Sequence, residues 1–193
     1  MKSEKTGNIK ESGVTRKEIE AKISNVGDYV KMDCLQACLK KQLDFDTRKF
    51  VLTELTRLYE ERKMNLEAGK LMRMAADINT TFEGKMNDFI KSAGLFIKSG
   101  SFDEADISIS KALANANDRQ KVGIKIKIKD IYKNYAKDML SKDKRKHAME
   151  AYEKVLSLDL DPLEKKDSQK NLLYLYEKLG KIYDYYALKK TMG

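Results

Sequence analysis

Apolar residues recur three and four positions apart along most of this chain, the spacing of one face of an α-helix. Leu52, Leu55 and Tyr59 form one such stripe, and Ala68, Leu71, Met72 and Ala75 form the next. Phe89, Ala93 and Phe96 continue the series, then Ala105, Ile109 and Ala112, then Ala148, Tyr152 and Val155. Between the stripes stand residues that start and stop helices. Thr15 with Glu18 has capping-box spacing, Gly27 offers a stop, and Asp28 a new cap for a segment through Leu39. Asp46, Asn65 and Thr80 or Thr81 precede the next three runs. Gly100 ends the third, and Ser101 with Glu104 makes a second capping box. Asp118 is placed to cap a longer helix through Leu140, and Asp143 the one after it. Asp161, Pro162 and Glu164 combine a capping side chain, a proline at the first helical position and an early acid. Gly180 closes that helix and Asp184 opens a short last one.

Val122 to Lys129 reads V-G-I-K-I-K-I-K and alternates like a strand. Ile124, Ile128, Ile131, Tyr135 and Met139 nonetheless step by four, three, four and four. A single strand would also have no partner elsewhere in the chain. The segment is therefore predicted to be helical.

The helices fall into pairs that overlay on one another. Ala68, Ala105 and Ala148 stand 37 and 43 residues apart at equivalent places, and Ala93 and Ala136 match in the preceding helices. One hairpin buries too little apolar area, at roughly 25 cal/mol per Å², to offset the entropy of ordering its residues, so the pairs must stack. The aromatic and methionine positions are read as the core of that stack.

This pattern resembles the tetratricopeptide repeat, a helix–turn–helix unit of about 34 residues in which an alanine early in the second helix lets the two backbones approach. The segment G-S-F-D-E-A-D-I-S-I-S-K-A from Gly100 to Ala112 carries the closest match, and the resemblance covers residues 49 to 190. A fourth unit, with Leu172, Leu173, Tyr176 and Gly180, has Tyr185 where the alanine is expected. The family's tryptophan is absent, the proline falls elsewhere, and residues 15 to 42 match poorly, as a terminal cap does. The resemblance implies an all-α, right-handed superhelical stack of hairpins, an α-solenoid over residues 14–193, after a disordered leader at residues 1–13.

In that family the first helices line a concave groove. The resemblance places Phe50, Thr53 and Arg57 there from the first clear unit, and Asn87, Ile90, Lys91 and Lys98 from the second. The third supplies Lys133, Asn134 and Lys137, and the fourth Lys170, Asn171, Tyr174 and Lys178. Lys-Asn recurs in units three and four, and related domains use that pair to hold a peptide carboxylate or backbone. Gly94 in the second unit departs from the full carboxylate clamp.

Composition adds a direction to this picture. The formal net charge is +9, which favours acidic partners. One proline in 193 residues argues against the turn-rich sandwiches and barrels. Cys34 and Cys38 share a helical face, poorly placed for a disulfide and too few for a metal site, and read as reduced apolar residues. Residues 1–13 lack the apolar core of a signal peptide, and no stretch approaches the roughly 20 apolar residues of a membrane span. A cytoplasmic location follows as the expectation.

No catalytic constellation emerges. His147 is the single histidine and sits in K-R-K-H-A; no phosphate-binding loop, dinucleotide fingerprint, nucleophile elbow or H-E-x-x-H motif occurs. The chain is expected to bind rather than catalyse, with no cofactor and no metal. The first expectation is a module that holds an acidic or extended protein segment in a basic groove. The second is a nucleic-acid-binding repeat protein that stacks bases on Tyr174, Tyr183, Tyr185 and Tyr186. The third is a subunit that self-associates through the tyrosine-rich end, Ile182 to Leu188.

Overall fold

The structure is a computed structural model that describes residues 14–192; the leader expected over residues 1–13 lies outside the described residues. It comprises α1 (Arg16–Ile23), α2 (Asp28–Leu39), α3 (Phe45–Glu61), α4 (Asn65–Ile78), α5 (Phe82–Ser99), α6 (Phe102–Ala114), α7 (Asp118–Ser141), α8 (Arg145–Leu156), α9 (Pro162–Lys178) and α10 (Ile182–Lys190). No strand occurs among the described residues. The alternating segment at Val122 lies inside α7, with Ile124 and Ile128 buried and Val122 and Ile126 exposed.

The hairpins α3–α4, α5–α6, α7–α8 and α9–α10 share one turn. Lys63, Gly100, Asp143 and Gly180 hold positive φ angles of 59°, 76°, 53° and 67°. In each turn the following N–H reaches back five residues to a carbonyl: Met64 to Tyr59, Ser101 to Phe96, Lys144 to Met139, and Lys181 to Tyr176, all at 2.9 Å. This is the Schellman closure, which satisfies carbonyls the helix end would otherwise leave open. Five residues beyond each left-handed residue stand Ala68, Ala105, Ala148 and Tyr185. The three alanines are completely buried. A methyl there allows two helices to cross closely, and the last hairpin, lacking it, has a second helix with no buried residue.

The same turn overrides several expected caps. Asn65, Asp143 and Asp184 do not cap; Met64, Lys144 and Lys181 hold those positions with no side-chain hydrogen bond. Asp143 is itself the left-handed residue and pairs with Arg145 at 2.7 Å. The Ser101–Glu104 box is not formed either. Ser101 leaves the turn with ψ 72°, its hydroxyl accepts from Ser99, and Glu104 pairs with Arg73 instead. Elsewhere the cap sits beside the predicted residue: Gly27 rather than Asp28, Asp44 rather than Asp46, Asn117 rather than Asp118. Gly27 is extended, φ −67°, not a left-handed stop. The boxes at Thr15 and Asp161 and the cap at Thr81 form as expected.

Packing is continuous from α1 to α10. One apolar cluster joins α1 to α4 with Leu95, and a second runs from Ala76 through α5 to α9. Gly69 and Ser92 sit where the two meet. A side chain on Gly69 would come within 2.9 Å of the Phe96 ring, and the buried Ser92 hydroxyl donates to the Gly69 carbonyl at 2.9 Å. Gly94 is buried facing Ile131 of α7, so it does not stand on a free surface.

An L-residue in the left-handed region costs roughly 1–2 kcal/mol, partly offset by the larger entropy glycine loses on folding. Lys63→Gly should therefore stabilise the fold by about 0.5–1 kcal/mol, read as a rise in the urea midpoint at unchanged slope. A drop in the midpoint would show that the turn at Lys63 is held by something other than backbone conformation.

Candidate functional site

Alternate helices are tied by ion pairs. On the row of first helices, Lys98 and Lys91 of α5 reach Glu60 of α3 at 3.1 and 3.8 Å, and Lys49 of α3 reaches Asp88 of α5 at 3.7 Å. Lys129 and Lys133 of α7 converge on Glu164 of α9 at 2.7 and 2.8 Å. On the row of second helices, Lys111 of α6 meets Asp77 of α4 at 2.8 Å, and Lys154 of α8 meets Asp106 of α6 at 2.5 Å. Lys129 and Lys133, with the Asp161 N–H, hold the Glu164 carboxyl far below the usual range, at about 2.

These pairs change the expected basic groove. Of its predicted residues, Lys91, Lys98 and Lys133 face a carboxylate of a neighbouring helix, and Arg57 lies between Glu54 and Glu61 of its own, at 3.1 and 2.7 Å. Asn171 donates to the Asp167 carbonyl of its own helix at 3.0 Å. Ile90 belongs to the core, and Phe50 is half-buried beneath the Arg16 guanidinium, so neither presents a free surface. Thr53 hydrogen-bonds back to the Lys49 carbonyl. Asn87, Asn134, Lys137 and Lys170 are exposed, and among the described residues Lys137 and Lys170 have no carboxylate within 4.0 Å. Tyr174 is exposed with the Lys178 ammonium 5.6 Å from its ring centre.

A second surface was only half legible in the sequence. α7 has 24 residues and α8 has 12, so half of α7, about 18 Å of helix, extends past its hairpin partner. α6 borders the same stretch. Together with the linker after α8 they enclose an open cleft of about 800 Å³. Its floor is apolar: Ile109 and Leu113 from α6, Val122, Ile126 and Ile128 from α7, Leu158 and Leu160 from the linker. Lys125, Lys129, Lys154, Asp106, Asp159 and Asp161 stand around it. Tyr132 closes one end, its hydroxyl donating to Asp106 at 3.4 Å, and burial raises its pKa well above that of a free phenol. The alternation at Val122–Lys129 was the available signal: Ile124 serves the core, Val122 and Ile126 serve the cleft, and the buried Ile128 borders both.

His147 is exposed, and both cysteines are free thiols, with burial pushing that of Cys38 up. Among the described residues no group of three or more His, Cys, Asp or Glu is arranged to hold a metal ion, and no helix is long and apolar enough to cross a membrane.

No family model matches the chain, and no curated protein matches it. Among solved structures, the chain is similar to BtubC (BKLC) from P. vanneervenii, with 16% identity, a TM-score of 0.39, and coverage of 89% of this chain and 74% of that one. The functional reading therefore rests on the chain's own residues.

Because the Glu164 carboxyl is more acidic folded than unfolded, its stabilising effect is complete above its ordinary value of 4.5 and disappears as pH falls through about 2. Thermal melts of wild type and Glu164→Gln should differ at neutral pH and converge between pH 4.5 and 2. A difference that persists undiminished at the acid end would remove the ion-paired carboxylate as its cause.

Proposed function

We propose that this chain is a protein-interaction module, a stack of tetratricopeptide-like hairpins that captures a segment of another protein. The observation that carries the reading is the cleft between α6 and the overhanging half of α7. Val122 and Ile126 are 58% and 52% exposed there, beside five further apolar side chains from three elements. Apolar surface left in water forgoes roughly 25 cal/mol per Å², and a concave apolar floor with a few polar groups at its rim is the usual form of a binding site. The charge of +9 steers acidic partners towards the molecule at long range. On the first-helix row, Asn134, Lys137 and Lys170 offer a further polar surface that a longer partner can follow.

Affinity capture from cells of the source tests this, comparing wild type with the Val122→Asp/Ile126→Asp variant. Both side chains are exposed, so helicity and melting temperature should be retained while capture of the partner falls at least about tenfold, as expected for burying an unpaired charge. Full capture by this variant, with loss instead on Lys137→Glu/Lys170→Glu, would relocate the site to the first-helix row.

A second reading has its own observation. Ile182, Tyr183 and Tyr186 on α10, the last described helix, are 64%, 93% and 64% exposed, an apolar patch suited to a second copy of this chain. Sedimentation equilibrium over a concentration series should then show a dimer that Tyr183→Glu/Tyr186→Glu dissociates. A wild-type protein that stays monomeric throughout the series would dispose of this second reading.

A further inference from the structure

We infer that the cleft is built for an amphipathic α-helix of about three turns, supplied by a partner protein, lying along α7 where α8 stops short. The inference rests on the protein-interaction reading and specifies the form and charge of what is bound.

Helix length sets the size of the occupant. In the two preceding hairpins the helices have 17 and 14 residues, and 18 and 13, so the second helix falls short by three and by five. In α7–α8 they have 24 and 12, and the unmatched stretch of about 18 Å corresponds to three turns. Val122 and Ile126, four apart, present a ridge of the kind that seats between the ridges of a second helix.

Backbone hydrogen bonding favours a helix over an extended segment. Two of the cleft's three walls are helices, whose N–H and C=O groups are already bonded within themselves. An extended segment pressed onto an apolar floor would find few backbone partners, and each buried unpaired group costs about 1–3 kcal/mol. A helix satisfies its own backbone and offers only its side chains.

Charge orients the occupant. Around the cleft Lys129 is held by Glu164, Lys154 by Asp106, and Asp161 caps α9. Among the described residues, Lys125 on the α7 wall and Asp159 on the linker wall have no oppositely charged partner within 4.0 Å. The complementary helix carries an apolar stripe at i, i+3, i+4 and i+7, with an acid on the edge towards α7 and a base on the edge towards the linker. Opposite charges on opposite walls set the direction in which the helix faces.

A displayed library of random 16-residue peptides, selected on the full chain and counter-selected on Val122→Asp/Ile126→Asp, provides the test. Enriched peptides should show the helical stripe with an acidic flank and gain helical circular dichroism on binding. Lys125→Glu should weaken them about tenfold, and exchanging the peptide's flanking acids for lysine should recover the loss. Enrichment of proline-containing or strictly alternating peptides that need Val122 and Ile126 would overturn the helical occupant and leave the interaction module standing. Helical binders indifferent to Lys125 would overturn the inferred charge pattern. Failure to enrich any peptide that depends on Val122 and Ile126 would remove both the helix and the cleft as a binding site.

Discussion

The close crossing of two helices just after a left-handed turn is the contact on which the stack depends. At Lys63, Gly100, Asp143 and Gly180 the backbone reverses in the same way, and the closing hydrogen bond is the same in all four. The turn delivers the fifth following residue into the hairpin interior. Where that residue is alanine, the second helix seats deeply and buries several side chains; where it is Tyr185, α10 buries none.

Once hairpins are formed, neighbouring ones are held in two ways. Apolar clusters meet around Gly69, Ser92 and Phe96, where small residues permit contact between α4 and α5. Ion pairs then bridge alternate helices on both rows. Most are partly exposed, so each contributes modestly, and their main consequence is electrostatic. On the first-helix row they neutralise Lys91, Lys98 and Lys133, and among the described residues they leave Lys125, Lys137 and Lys170 without a carboxylate within 4.0 Å. A basic protein need not present a basic groove when neighbouring units supply the counter-charge.

The cleft follows from a mismatch between helices rather than from a motif. α7 is too long for α8, and the surplus half keeps an apolar ridge that its own hairpin cannot cover. α6 and the linker supply the remaining walls. Core and cleft are thereby served by different faces of one helix, with Ile124 turned inward, Val122 and Ile126 outward, and the buried Ile128 at the cleft floor between them.

The sequence alone determined the helices, their pairing and much of the core, because helical periodicity and glycine placement are local properties written into consecutive residues. It located Ala68, Ala105 and Ala148 and resolved Val122–Lys129 as helix. It did not determine which residue stood at each helix start, since the shared turn places Met64, Lys144 and Lys181 at the cap positions and moves Asn65, Asp143 and Asp184 off them. Nor could it foresee that Lys91, Lys98 and Lys133 would meet Glu60 and Glu164, residues 31 to 38 positions away. Ion pairing and the cleft both depend on where non-consecutive helices end relative to one another. That is settled only when the hairpins pack, because distance through space, not order along the chain, decides which charges meet and which apolar faces stay uncovered.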